Sequence, residues 1–406
     1  MKAALALAGE PREAPVRFSI THIITRMIRG GADENTLLSC NHQARLGHEV
    51  RLICGREYST AILERLDPAV SVEVLSSLVR ELDPRRDLRA VLDLTRSLRS
   101  TRPHVVHTHT SKAGIIGRVA ARLAGVPAIV HGVHIQPFLN VGRLQRLAYL
   151  GAERAVAAVT DAFVDVSEGI RDAGLAHRVG RPDRHVVIPS GMDLDRFVDA
   201  QPVAAGEIQA AFARPTPMPE DGQLLVMVAA LEVRKRVLEF LDVMATIHSH
   251  RPNVFLVVLG EGNERGRILD RAEALGMADR VALLGYRDDV ERWIAAADVC
   301  VFASEREGLP RAVVQYVLAG RPVVATALPG IERVVRHGIS GLLVPPDRLP
   351  LMAPAIERLL DHPRVAASFR QAALALDLSS WSVDRMVDQL DDVYAHVLTG
   401  KAVAVS

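Results

Sequence analysis

The chain of 406 residues predicts an α/β protein of two parallel-sheet domains, and three observations carry that expectation. Its length exceeds what one ordinary core organises, so two or three domains are expected. From about residue 17 onward, short β-rich runs alternate with amphipathic helical stretches, the pattern of parallel sheets covered by helices. The alternation fails over 201–223, where Pro, Ala and Gly break both periodicities and mark a boundary.

Residues 1–16 read as a flexible lead-in. The apolar run 3–8 after Lys2 is too short for a signal-peptide core, and 9–15 is polar and carries prolines. A first domain over 17–200 is expected to hold strands at 18–24, 49–54, 70–75, 105–108, 128–131, 163–166 and 186–188. With 201–223 as a linker region, a second domain over 224–378 opens on a strand at Leu224. It continues at 254–259, 281–284, 298–303, 322–326 and 342–344. Val237, Phe240, Leu241, Met244 and Ile247 recur at three- and four-residue steps and form the core face of a helix on the second sheet. The terminal segment 379–406 carries one more helix, at 381–398. Its stripe of Val383, Met386, Val387, Leu390, Val393, Tyr394 and Val397 needs a partner after the second sheet is complete.

Lys and Arg total 49 against 48 for Asp and Glu, so no global basic field exists to hold nucleic acid or an anionic membrane, and any anion site is local. Cys40, Cys54 and Cys300 are odd in number and scattered, which fits buried free thiols in a reducing cytosol. No Cys/His cluster has zinc spacing, and no stretch approaches the roughly 18 apolar residues of a membrane span. A cytoplasmic location is expected, with contact at the inner face of a membrane as its alternative.

Chemistry concentrates where strands end. Gly308 and Leu309 follow the strand 298–303 and precede a helix with Pro310 at its start, so their N–H groups lie at the positive end of a helix dipole. Glu307 stands directly before them, and such a terminus can hold a phosphate or a sugar oxygen. Arg234, Lys235 and Arg236 open the helix that follows the strand at 224, where their mutual repulsion would be relieved by an anion. For Arg234 and Arg236 a solvated basic turn is the plainer reading. Gly30 and Gly31 follow the first strand, where backbone approaches another strand or a ligand closely. Gly260 and Gly262 end a strand, but the next glycine is Gly266, one position too far for a dinucleotide fingerprint. His131 and His134 lie at the carboxyl end of the strand 128–131, the edge at which open α/β sheets bind ligands.

The segment 304–320, SEREGLPRAVVQYVLAG, resembles the donor-site motif of the retaining GT-B glycosyltransferases of family 4. So do HTHTSKAGIIGRVAARLAG at 107–125, IPSGMD at 188–193, and the Gly30-Gly31 loop with its following helix. The resemblance runs over about 17–398. It implies a GT-B fold: two Rossmann-like doubly wound domains facing across a cleft, with the C-terminal helix crossing back to the first. The implied function is retaining transfer of a hexosyl unit from a nucleotide diphosphate sugar, UDP-linked by family frequency, to an unidentified acceptor hydroxyl. Glycan, glycolipid or glycosylated-metabolite synthesis would be its setting.

By the same resemblance His134 and Glu307 act on the transferred sugar, Lys235 holds the diphosphate, and Gln315 occupies the ribose position. Gly30, Gly31, Gly260, Gly262, Gly308 and Leu309 line the donor. No cofactor is expected. A metal is not needed where helix amides and Lys235 neutralise the leaving diphosphate. Three positions depart from the family: Ala230 replaces an arginine, Gln315 a glutamate, and Arg333 an acidic residue. These leave open a non-catalytic scaffold that binds a sugar nucleotide or a partner. A GT-B nucleotide-sugar epimerase is the other alternative.

Overall fold

Continuous apolar runs become central parallel strands because both of their faces are covered. The computed structural model describes residues 17–28, 30–139, 141–212, 219, 221–307 and 310–400. It contains a seven-stranded and a six-stranded parallel sheet. Contacts divide the chain into two units, Met1–Gly191 with Val383–Ser406, and Met192–Ser382.

In the first unit β1 (Ser19–Met27), β2 (Glu49–Tyr58), β3 (Ser71–Leu75), β4 (Val105–His109), β5 (Ala128–Val133), β6 (Ala162–Asp165) and β7 (His185–Val187) are ordered β3-β2-β1-β4-β5-β6-β7. The direction of winding reverses between β1 and β4. Helices such as Ser111–Ala124 supply Ala113, Ile116 and Ala120 to a core shared with Ile23, Val106 and Ile129. The unpartnered stripe of the last helix, Val383–Thr399, finds its partner here. Met386, Val387, Leu390, Val393 and Tyr394 bury against Phe18, Ile20, Val105, Val130 and Val164.

The second unit contains β8 (Gln223–Val228), β9 (Val254–Leu259), β10 (Val281–Leu283), β11 (Val299–Phe302), β12 (Val323–Thr326) and β13 (Leu342–Val344), ordered β10-β9-β8-β11-β12-β13. Its reversal lies between β8 and β11. Phe240, Leu241, Met244 and Ile247 on the helix Val237–His250 bury against Leu225, Met227, Leu256 and Val258 as their spacing requires.

The boundary lies elsewhere than the composition indicates. Val203, Ile208 and Phe212 bury with Leu224, Val226 and Phe255 in the second unit's core, and Ala205–Ala210 is helical. Residues 201–212 are therefore packed structure, not linker. Their apolar residues are too sparse to show a period. The three cysteines are buried free thiols, and burial pushes Cys54 up to about 11 and raises Cys40 and Cys300 as well.

One buried ion pair ties the first unit together. Arg118 is fully buried; its Nη2 donates to Glu153 Oε2 at 2.6 Å, its Nη1 to Thr160 Oγ1 at 3.2 Å, and its Nε to Gly114 O at 2.7 Å. Removing one partner strands a charge in low dielectric, whereas replacing both with apolar groups does not. Arg118→Met is expected to destabilise the first unit by about 3–5 kcal/mol, and Arg118→Met/Glu153→Leu to recover most of that loss in urea unfolding. A double variant as unstable as the single one would contradict this account.

Candidate functional site

In doubly wound sheets, ligands sit at the carboxyl ends of the strands flanking the reversal. For the second sheet those strands are β8 and β11. The loop after β8 leads to Lys235 and the loop after β11 leads to Glu307. The two side chains meet: Lys235 Nζ donates to Glu307 Oε1 in an ion pair. Arg234 Nη1 donates to Glu307 Oε2 at 3.0 Å, and Ser304 Oγ donates to Oε1 at 2.9 Å. The Glu307 side chain is only 9% exposed, so a single carboxylate is held in a pocket of three donors. Burial lowers the Lys235 ammonium, and the neighbouring Glu307 carboxylate opposes that shift.

The backbone fixes this meeting. Glu305 N donates to Arg234 O at 2.8 Å, stitching the two loops together. Lys235 ends a single 3-10 turn, Val233–Lys235, and Arg236 then takes a left-handed φ of 57°. That twist carries Arg236 away, and its Nη1 donates to Pro346 O at 2.5 Å. Of the two arginines flanking Lys235, only Arg234 contacts Glu307.

Gly260 and Gly262 act one layer below. A Cβ on Gly260 would stand 2.0 Å from Ala229 O, and one on Gly262 would stand 2.3 Å from Leu231 O. Leu231 N donates to Glu261 O at 2.9 Å. Both glycines let the loop after β9 press on the segment leading to Lys235. Gln315 lies half-buried on the helix Arg311–Leu318, and its side chain makes no hydrogen bond with a described residue. That helix begins one residue later than expected, with Pro310 as its cap. Gly308 and Leu309 lie outside the described residues.

In the first unit the strands flanking the reversal are β1 and β4. Gly30 caps the helix Gly31–Arg45 with extended backbone that any residue adopts. The nearest described atom to a Cβ there would be Asp33 Oδ2 at 3.6 Å. Neither backbone conformation nor crowding within the described chain requires a glycine at 30. Strand register sets His22 beside His107, and a chain of side chains runs from this pair. His22 Nε2–H donates to Gln43 Oε1 at 2.8 Å, so His22 Nδ1 is the acceptor for His109 Nε2–H at 2.9 Å. His109 Nδ1 in turn accepts from His134 Nε2–H at 3.3 Å. Burial drives His22 down to about 4 and holds His107 and His109 well below the usual histidine range. Neutral rings with these tautomers follow.

His134 is half-buried and lines a cavity of about 90 Å³ with Ala32, Thr110, Glu153 and Phe163. His131 lines it too but is committed elsewhere. Its Nδ1 lies 2.9 Å from Thr108 Oγ1, its ring meets Phe163 edge-on, and it is 4% exposed.

His22, His107 and His109 form the one cluster among the described residues with metal-ligand proximity, one nitrogen from each lying within 4.8 Å of the others. Ligands to a common ion aim in-plane lone pairs at it. Here His22 Nδ1 and His109 Nε2 share a hydrogen bond and their rings stack at 5.2 Å, while His107 packs tilted against His109 with ring centroids 4.3 Å apart. The arrangement is that of a hydrogen-bonded stack. A surface depression of about 590 Å³ lies at the amino ends of β8 and β9, beside Asp221, Arg251 and Asn253, away from these groups.

Sequence reasoning passed over His22, His109 and Asp33. Burial pushes Asp33 up to about 6, and its Oδ2 accepts from Ile28 N at 3.1 Å beside the Gly30 loop. The alternation His107-Thr108-His109 was the available signal, since residues two apart on a strand share a face.

Comparisons with known proteins point to glycosyl transfer through two family models and to a shared fold through a solved structure. The family described as "Glycosyl transferases group 1" matches residues 222–362, and "Glycosyl transferase 4-like domain" matches residues 30–191. The chain is 25% identical to the UDP-Gal:alpha-D-GlcNAc-diphosphoundecaprenol alpha-1,3-galactosyltransferase of Escherichia coli, covering 95% of this chain and 98% of that one. It is 28% identical to the D-inositol 3-phosphate glycosyltransferase of Pseudarthrobacter chlorophenolicus, over 84% of each. The structure of HepE from Anabaena in complex with UDP and glucose matches with a TM-score of 0.77 at 20% identity. It covers 93% of this chain and all of that one.

The neutral histidine stack makes the first unit acid-sensitive. Below the usual histidine value of 6.5 the unfolded chain takes up protons that the folded core refuses. Stability is therefore complete above 6.5 and is lost as pH falls toward about 4, the folded value of His22. The expected loss is about 1.4 kcal/mol per pH unit for each such histidine. Urea unfolding followed through the protection of peptides from β1 and β4 measures it, and a flat profile over that window would contradict buried neutral rings.

Proposed function

The chain belongs to the group 1 glycosyl transferases, and from that premise we propose retaining transfer of a hexosyl unit from a UDP-linked sugar to an acceptor hydroxyl. The observation that carries the reading is the Glu307 carboxylate, buried at the reversal of the second sheet and held by Lys235, Arg234 and Ser304. The name of the Escherichia coli relative supports UDP as the nucleotide, and the HepE complex with UDP and glucose supports the same donor class.

Each group has a separate task. Lys235 and Arg234 neutralise the donor diphosphate, with Arg234 standing in for the arginine absent at Ala230. Glu307, released from its cations when the diphosphate arrives, orients the sugar hydroxyls. Gln315 takes the ribose with an amide where its relatives use a carboxylate, at the cost of one charge-assisted bond. Gly30 admits close approach of a ligand to backbone. His134, not the committed His131, serves transfer from the first unit.

No enzymic nucleophile is invoked. The acceptor oxygen bonds to the anomeric carbon on the face from which the diphosphate leaves. The C1–O bond to phosphate breaks, and the departing phosphate oxygen takes the acceptor proton. Lys235 and Arg234 meet the charge that develops on the diphosphate, so no metal is assigned a step.

Purified protein offered a panel of UDP-, GDP- and ADP-sugars, with transfer and hydrolysis read by mass spectrometry, tests the function. Turnover of none of them, with nucleotide still bound, would favour a non-catalytic scaffold. Calorimetry against UDP tests the assignments. Lys235→Ala and Arg234→Ala are each expected to weaken binding by about 1.5–3 kcal/mol. Arg236→Ala should leave it unchanged, and Gln315→Glu should tighten it by about 1–2 kcal/mol. Equal losses at Arg234 and Arg236 would place the diphosphate elsewhere.

A further inference from the structure

His22 and His109 are neutral rings, and a neutral imidazole donates from one nitrogen and accepts at the other. Gln43, His22, His107 and His109 are each at most 2% exposed, so bulk water does not reach them to correct a misplaced proton. The row from Gln43 to His134 therefore has two consistent settings. In the first, Gln43 Oε1 accepts from His22 Nε2–H at 2.8 Å, His22 Nδ1 accepts from His109 Nε2–H, and His109 Nδ1 accepts from His134 Nε2–H. In the second the amide is turned over, Gln43 Nε2 donates to His22, every later bond reverses, and the His134 proton moves to Nδ1.

The surroundings choose the first setting. Gln43 Nε2 donates to Tyr394 OH at 3.5 Å, and the Tyr394 hydroxyl donates to His107 Nδ1 at 2.7 Å, so the His107 proton lies on Nε2. Turning the amide over would spend the Tyr394 proton on Gln43 Oε1 and move the His107 proton to Nδ1. Asn35 decides between the two. With His107, His109 and His134 it lines a space of about 10 Å³, room for about one water molecule. Asn35 Oδ1 and His107 Nε2 are both buried there without a hydrogen bond to a described residue. A buried acceptor is better met across that space by an N–H than by a second lone pair, which keeps the proton on His107 Nε2. Gly132 keeps the space open, since a Cβ would stand 3.1 Å from both His107 Nε2 and His109 Nδ1.

We propose that Gln43 is a positioning residue for transfer: buried at the far end of the row, it holds the His134 proton on Nε2 and the lone pair on Nδ1, where the reversed setting would put a donor. Gln43 acts only through His22 and His109. Tyr394 and Asn35 fix the sense of the row from its two sides. The inference rests on the reading of His134 as the group that serves transfer from the first unit, and adds to it the residue that sets the tautomer.

The test follows two readouts on the full chain. Heteronuclear NMR of isotope-labelled histidine, recorded well above the usual histidine value of about 6.5, reports which His134 nitrogen carries the proton, and His134→Ala identifies the signal. Mass spectrometry follows transfer. The parent protein is expected to show Nε2–H. Gln43→Leu should admit an Nδ1–H population and lower kcat about tenfold, the worth of one hydrogen bond, while UDP affinity is unchanged because Lys235 and Arg234 lie in the second unit. Tyr394→Phe frees the amide to turn over and should do the same, and it carries the test if Gln43→Leu fails to fold. Gln43→Leu/His22→Phe should transfer no more slowly than His22→Phe alone, whereas independent packing losses would add. Nδ1–H in the parent protein, an unchanged tautomer in both Gln43→Leu and Tyr394→Phe, or additive losses overturns the proposal. A tautomer that shifts without a change in transfer, with His134→Ala inactive, overturns the positioning role alone. Normal transfer by His134→Ala withdraws the reading of His134, and the proposal with it.

Discussion

A carboxylate removed from water needs cations and hydrogen-bond donors in place of its hydration. Glu307 meets that demand with Lys235, Arg234 and the Ser304 hydroxyl, and the groups around it are arranged accordingly. Two loops from β8 and β11 must arrive at the same point, so the sheet has to reverse between those strands. The Gly260 and Gly262 contacts hold the first loop down, and the Glu305–Arg234 backbone bond holds the second against it. The ion pairs are also what a diphosphate would exchange for its own, since Lys235 and Arg234 suit a polyanion as well as a carboxylate. Preorganisation of this kind places the cations before any ligand arrives.

The first unit solves a different problem with uncharged groups. Register places His22 and His107 side by side on β1 and β4, and burial keeps them neutral, so the stack can work only through tautomers. Gln43 starts the chain by offering an oxygen, and each ring then passes on a single orientation until His134 is reached. Tyr394, on the last helix, lies 2.7 Å from His107 Nδ1 and receives Gln43 Nε2 at 3.5 Å. The residues that return the chain terminus to this unit therefore also brace its polar core.

Much of this was legible in the sequence, for a physical reason. Strands such as β9 and β11, buried on both faces, read as unbroken apolar runs, every expected strand is present, and the stripe from Met386 to Tyr394 announced a buried helix. What escaped needed three dimensions. Residues 201–212 looked like a linker because Val203, Ile208 and Phe212 are spread among alanines and a proline, yet each is buried. Arg234 and Arg236 looked alike because the left-handed φ at Arg236 has no signature in a run of basic residues. Glu307 and Lys235 were legible singly, from their places after strands, but their direct pairing depends on the order β8-β11 in the sheet.

The central claim is that Glu307 belongs to the sugar and its cations to the diphosphate. Glu307→Gln keeps the shape and removes the charge, which measures this directly when UDP affinity and sugar transfer are followed on the same protein. With the competing carboxylate gone, Lys235 and Arg234 are left to the nucleotide. UDP should bind as well as before or more tightly, while transfer falls by about ten- to a hundredfold, the worth of a charge-assisted hydrogen bond. If UDP affinity and transfer fall together, Glu307 supports the nucleotide, and the division of labour described above is wrong.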